Sequence, residues 1–212
     1  FFLFQVTHDR LENIIDIFLS SNGYLFEEPT NLIKQECRDP STYNSIIQAI
    51  ALGATKLSEI SNQVGIETGL CTTYIKKLIS LGIIIKDTPI YKPSKKQTIY
   101  LLADHMFQFW YKFVLPNISL INMGMGDRVY KKIEPHFYEF MGYIFEDICK
   151  QYLWLLNIHE ELPLFFLKLG RWWGNDTRIK AEAEIDIVAY NDENQILIGE
   201  CKWRNEDTDK KV

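Results

Sequence analysis

Asp186, Glu200 and Lys202 are the side chains of this chain whose types and spacing suit metal-assisted chemistry on a phosphodiester. Glu184-Ile185-Asp186-Ile187-Val188 alternates polar and apolar residues, the period of a half-buried strand. The run Ile196 to Trp203 is more apolar, yet it ends on a carboxylate and an amine two residues apart, hence on one face. Asn191-Asp192-Glu193-Asn194 supplies turn residues between the two runs, which predicts an antiparallel hairpin. With the turn centred on Glu193, Asp186 lies opposite Glu200, with Cβ atoms ~5 Å apart. A slip of one residue would turn Asp186 to the other face. Two carboxylates that close repel unless a cation lies between them. Mg²⁺, or Mn²⁺ in its place, favours carboxylate oxygens and retains water. Such a water is a nucleophile for phosphodiester hydrolysis. Lys202 would orient it or neutralise charge in the transition state. Glu184 shares the face and is expected to border the site. From spacing alone, the alternative is an exposed hairpin carrying a Glu–Lys cross-strand pair.

The elements upstream must position this hairpin. Leu11, Ile14, Ile15 and Phe18 recur at helical spacing. Thr30 and Ser41 are candidate caps for a short helix and for a helix over 42–52. Thr55 is a candidate cap for a helix to Val64. A further helix is predicted from Leu70 to Leu81, with Tyr74, Leu78 and Leu81 inward and Gly82 ending it. Two β runs follow, Ile83-Ile84-Ile85 and Thr98 to Leu101, around a loop flanked by Pro89 and Pro93. Three helices and a two-stranded ribbon are the layout of a winged helix-turn-helix. Asp104 can cap an aromatic helix over 106–114, whose ring density reads as core. Met123-Gly124-Met125-Gly126 is the linker candidate. A long helix over 127–156 should bend near Pro135 or Gly142. Phe165-Phe166-Leu167 reads as a strand.

Composition bounds the rest. The chain has 212 residues, 47% hydrophobic and 14% aromatic, enough for a packed core. No apolar run approaches a bilayer span, so no membrane partner is expected. Phe1-Phe2-Leu3-Phe4 lacks a basic leader and reads as a cut inside a longer protein. None of the four cysteines forms a C-x-x-C pair and no His lies at zinc-ligand spacing, which points to a reduced, cytoplasmic setting. Cys201 reads as a small buried hydrophobe. The net charge of −5 argues against a general nucleic-acid glue. Between Leu70 and Tyr100, however, Lys76, Lys77, Lys86, Lys92, Lys95 and Lys96 face only Asp87. Thr72, Thr73, Lys76 and Lys77 on the predicted recognition helix, and Lys92, Lys95 and Lys96 in the wing, are the candidate nucleic-acid contacts. That helix carries no Arg, Asn or Gln to read bases bidentately. The alternative is a module that packs on another domain or partner and never touches DNA.

The run Glu184 to Val188 followed by Gly199-Glu200-Cys201-Lys202-Trp203 resembles the PD-(D/E)XK restriction-endonuclease-like superfamily. More narrowly, the chain resembles the C-terminal half of prokaryotic AAA-type ATPases that end in a nuclease-like domain. That likeness includes Glu28-Pro29, residues 39–43, Lys56 to Ile60, Phe109 to Val114 and Gly142 to Glu146. It implies that Asp186 and Glu200 are metal ligands and Lys202 the catalytic lysine. It implies the same metal role for Glu146, an acidic residue on the helix before the first strand. The alternative for Glu146 is a solvated pair with Lys150 at i+4. Glu184-Ile185 stands where the superfamily name has proline-aspartate, and only ten residues follow Lys202, so the nuclease-like domain is expected to be truncated.

The expected architecture is α+β: a helical extension over 1–40, a winged helix-turn-helix over 41–102, an aromatic linker helix over 103–126 and a restriction-endonuclease-like α/β domain over 127–212. The resemblance implies DNA and the protein's own N-terminal ATPase domain as partners, with homo-oligomers open. No Walker A motif is present, so ATP would bind outside this chain. The expected function is a DNA-interaction module with a Mg²⁺- or Mn²⁺-dependent (deoxyribo)nuclease-like site. The alternative is a catalytically silent regulatory module of the ATPase, binding DNA or protein.

Overall fold

The computed structural model describes residues 10–91, 93, 95–176 and 180–204. The fold is α+β and divides into two compact units, Phe1–Lys86 with Ile99–Pro135, and Asp87–Thr98 with His136–Val212.

In the first unit, α1 (Arg10–Phe18) and α2 (Glu28–Glu36) precede three helices, α3 (Pro40–Ala51), α4 (Leu57–Val64) and α5 (Thr68–Ser80). Strands β1 (Ile84–Asp87) and β2 (Ile99–Leu102) pair as a two-stranded sheet. The core is aliphatic here, with Ile46, Ile47, Ile60, Ile75 and Leu78 at 2% exposure or less. On α5 the inward stripe is Cys71, Ile75 and Leu78, a helical i, i+4, i+7 set. The expected Tyr74 and Leu81 are half-buried beside it; Tyr74 instead donates its hydroxyl to Asp39 Oδ2 at 3.0 Å.

Helix starts differ from the expected caps. Thr30 lies inside α2 and donates to the Glu27 carbonyl. α3 starts at Pro40, one residue before Ser41, because proline has no amide to lose at the first helical position. α4 is capped from within: Glu59 accepts from the Thr55 and Lys56 amides at 3.1 and 3.0 Å, leaving Thr55 outside the helix. Two expected punctuation marks are present. Asp104 accepts from the Met106 amide at 2.6 Å and caps α6 (His105–Phe109), and Gly82 takes φ +72 after α5. α6 runs into a π-helical turn, Trp110–Val114, whose Trp110 and Tyr111 are fully buried. α7 (Ile118–Asn122) and α8 (Gly126–Ile133) complete the unit. Gly126 is no linker residue: a Cβ there would collide with the Leu19 carbonyl oxygen.

The predicted long helix is interrupted at Pro135 by a 3₁₀ turn, Glu134–His136, and resumes as α9 (Phe137–Ile158) in the second unit. An antiparallel sheet follows in the order β3-β4-β5, with β3 Lys168–Asp176, β4 Ala181–Tyr190 and β5 Ile196–Gly199. β3 begins just after the expected Phe165-Phe166-Leu167, and its length was not anticipated. Gly170 and Gly174 interrupt its apolar pattern, and a register shift between Gly170 and Trp172 breaks its alternation. Asn157, 2% exposed, joins the end of α9 to the approach to β3. Its amide donates to the Phe166 carbonyl at 3.0 Å and its carbonyl accepts the Phe166 amide at 2.9 Å.

The segment Asp87–Thr98 belongs to this second unit and is hydrogen-bonded to its sheet. The Ile90 amide donates to the Arg171 carbonyl at 3.0 Å, and the Tyr190 hydroxyl donates to the Ile90 carbonyl at 3.2 Å. Gln97 Nε2 donates to the Trp173 carbonyl at 2.8 Å, and Trp173 Nε1 donates back to the Gln97 carbonyl at 3.1 Å. Gly170 makes room for this strap, since a Cβ there would press on Ile90.

Candidate functional site

The hairpin has the register expected for a turn centred on Glu193. Ile187 pairs with Gly199, Val188 with Ile198, Ala189 with Leu197 and Tyr190 with Ile196. Asn191 sets the turn: its Oδ1 accepts from the Glu193 and Gln195 amides at 3.0 and 3.1 Å, and Asn194 takes φ +62. Continuing the register one step beyond the ladder puts Asp186 against Glu200. The ladder stops there, and the Asp186 carboxylate takes over, accepting the Cys201 amide on Oδ2 at 2.8 Å.

Glu146 on α9 lies near this carboxylate. Burial pushes the Glu146 carboxyl above its ordinary value, and the negative charge of Asp186 adds to the rise. Arg171 and Lys150 pull the other way. Lys150 itself does not pair with Glu146, as helix spacing allowed; it binds Asp147 Oδ1 at 2.7 Å. The charge of Asp186 thus acts on Glu146 in a partly buried place.

Glu200 is directed elsewhere. Its Oε1 meets Lys202 Nζ at 2.9 Å, with the Glu200 side chain 70% exposed. Among the described residues, no three His, Cys, Asp or Glu side chains gather around one point as a metal cage. The Glu146–Asp186 pair still suits Mg²⁺ in its donor chemistry, because that ion is held by one or two carboxylates and keeps several waters. Glu184 is exposed and lies opposite Trp173 on β3.

Arg171, Asp87, Tyr143 and Cys149 bear on the site with no local sequence pattern pointing to them. Arg171 lies on the unanticipated β3, its guanidinium 5.2 Å from the Trp173 ring centroid. Asp87 and Tyr143 are held up by burial, Tyr143 to about 12, and both feel the Arg171 charge. Cys149 and Cys201 sit together beside the carboxylates: burial, the hydrogen bond to Cys149 and the charges of Asp186 and Glu146 push the Cys201 thiol up to about 12. The only sequence signal was the position of Cys201 between Glu200 and Lys202.

The candidate nucleic-acid residues divide between the units. In the first, Lys76 and Lys77 are exposed on α5, and Thr73 is exposed. Thr72 bonds its hydroxyl to the Thr68 carbonyl at 2.8 Å, and Thr73 bonds to that of Gly69 at 3.4 Å. Lys95 and Lys96 fall in a 3₁₀ turn of the 87–98 segment in the second unit, with Lys96 exposed. Lys92 lies outside the described residues. No helix among the described residues is long and apolar enough to cross a membrane.

Residues 110–212 match the DUF234 family, described as archaeal and bacterial proteins of unknown function. That match includes α9, the three-stranded sheet, Glu146, Asp186, Glu200 and Lys202. The chain is also 35% identical over 186 residues to an uncharacterized protein of Methanocaldococcus jannaschii. The alignment covers 87% of this chain and 40% of that protein, so the chain spans well under half the length of its relative. No solved structure matches.

Proposed function

We propose that the second unit is a nuclease-like α/β module carrying a divalent-cation-dependent phosphodiester hydrolase site. We propose also that α3, α4, α5 and the β1–β2 ribbon act as a winged helix-turn-helix that presents Lys76 and Lys77 to DNA. The carrying observation is the Glu146 carboxyl, raised first by burial and then by the charge of Asp186, with Arg171 and Lys150 opposing the rise. Two carboxylates whose charges act on each other in a partly buried place favour a bound cation. When bound there, Mg²⁺ or Mn²⁺ would activate water and neutralise phosphate oxygens.

The chain's own groups do the rest. Glu146 and Asp186 hold the ion, with Glu200 able to join them on leaving Lys202. The Cys201 amide fixes the orientation of Asp186. Lys202, released from its pair with Glu200, would supply a positive charge toward the anionic phosphate. The proposed partner is a P-loop ATPase domain of AAA type, and DNA the proposed substrate.

A second reading rests on the Glu200–Lys202 pair. If that pair is permanent, the site stays silent and the module regulates the ATPase by binding DNA or protein. The experiment is cleavage of single- and double-stranded DNA by the full-length protein with Mg²⁺ or Mn²⁺. Loss of at least a hundredfold in Asp186→Asn, with circular dichroism unchanged, supports the hydrolase. DNA binding without cleavage of any nucleic acid, in wild type and variant alike, supports the silent module.

A further inference from the structure

Cys149 and Cys201 are brought together by two elements with matching repeats. Cys149 lies one helical turn after Phe145 on α9, about 6 Å along its axis. Cys201 lies two residues before Trp203 on the segment leaving β5, a step of about 6.6 Å if extended. The Phe145 and Trp203 rings meet with centroids 5.4 Å apart, tilted by 56°. With that contact as one rung, the next rung brings Cys149 toward Cys201, whose thiol feels that of Cys149. Both residues are half-buried rather than sealed, whereas Cys37 and Cys71, in the other unit, are buried.

We propose that Cys149 and Cys201 form a reversible intramolecular disulfide, a modification site that clamps the Glu200–Lys202 segment to the helix carrying Glu146. The oxidant is of the peroxide class. One sulfur takes an oxygen from hydrogen peroxide as its O–O bond breaks, giving a sulfenic acid and one water. The second thiol then attacks that sulfur: the S–S bond forms, the S–O bond breaks, and the hydroxyl leaves as a second water with the second thiol's proton. Two thiols lose one electron each and the peroxide gains two, so the step balances. A dithiol reductant reverses it. The clamp stands whether or not the site cleaves DNA, because it depends only on the packing of α9 against residues 201–203.

The test treats the full-length protein with hydrogen peroxide, blocks remaining thiols with N-ethylmaleimide and maps peptides by mass spectrometry. The expected result is one crosslinked peptide pair containing Cys149 and Cys201, with Cys37 and Cys71 still unoxidised until unfolding. Melting should rise by several degrees on oxidation and return with dithiothreitol, and Cys149→Ser should abolish that rise. Mapping on the wild type decides the matter even if a serine variant folds poorly. Sulfinic acid at either cysteine without the crosslink, or a crosslink to Cys37 or Cys71, overturns the proposal.

Discussion

Past the end of the β4–β5 ladder, the Asp186 carboxylate accepts the Cys201 amide at 2.8 Å. That bond ties the central carboxylate to the backbone between Glu200 and Lys202. Asp186→Ala leaves a part-buried amide without its acceptor and should cost about 1–2 kcal/mol. Asp186→Asn keeps an oxygen in place and should cost less than half as much. Urea unfolding of the two variants measures the difference; equal losses would show that the bond contributes little.

Glu146 gives a pH signature. Its folded-state value is raised, chiefly by burial and then by Asp186, so the folded protein holds this proton more tightly than the unfolded chain. The sign follows from linkage: this contribution is fully present below the ordinary Glu value of 4.5 and is lost as pH climbs through the raised folded value. Glu146→Gln should therefore melt higher than wild type at pH 7 and show no advantage below the ordinary Glu value. A melting difference independent of pH contradicts this assignment.

Asn157 should be sensitive to truncation. Both polar atoms of its side chain bond the Phe166 backbone, and the residue is buried. Asn157→Ala strands a buried amide and a buried carbonyl together, at a cost of about 2–4 kcal/mol. Chemical denaturation checks it, and a cost below ~1 kcal/mol would mean that water replaces the side chain.

Gly126 tests the first unit. A Cβ at Gly126 would collide with the Leu19 carbonyl, so Gly126→Ala must separate α8 from the end of α1 and should lose about 1–3 kcal/mol. Methionine and glycine in alternation looked like a linker because sequence shows no partner for a missing side chain.

Local chemistry was legible and long-range chemistry was not. Asp104 and Gly82 announce themselves because a cap and a left-handed stop need particular residues. The register of Asp186 follows from where Asn191 places the turn, since alternation leaves no half-step. β3 was hidden by its glycines and irregular register, and with it Arg171. The pattern that places Lys95 and Lys96 in a wing gives no sign that Gln97 and Trp173 bind each other across 76 residues of sequence. The Glu200–Lys202 pair was equally open: period two puts both on one face, and only coordinates show that they bind each other.

The most direct test of the site is Mn²⁺ binding followed by electron paramagnetic resonance on the full-length protein. The Glu146–Asp186 pairing predicts one Mn²⁺ site that weakens at least tenfold in Glu146→Gln and in Asp186→Asn. It predicts also that affinity falls on acidification at a pH above the ordinary Glu range, because Glu146 must first lose its proton. Equal Mn²⁺ affinity in wild type and both variants would contradict a cation site at these carboxylates.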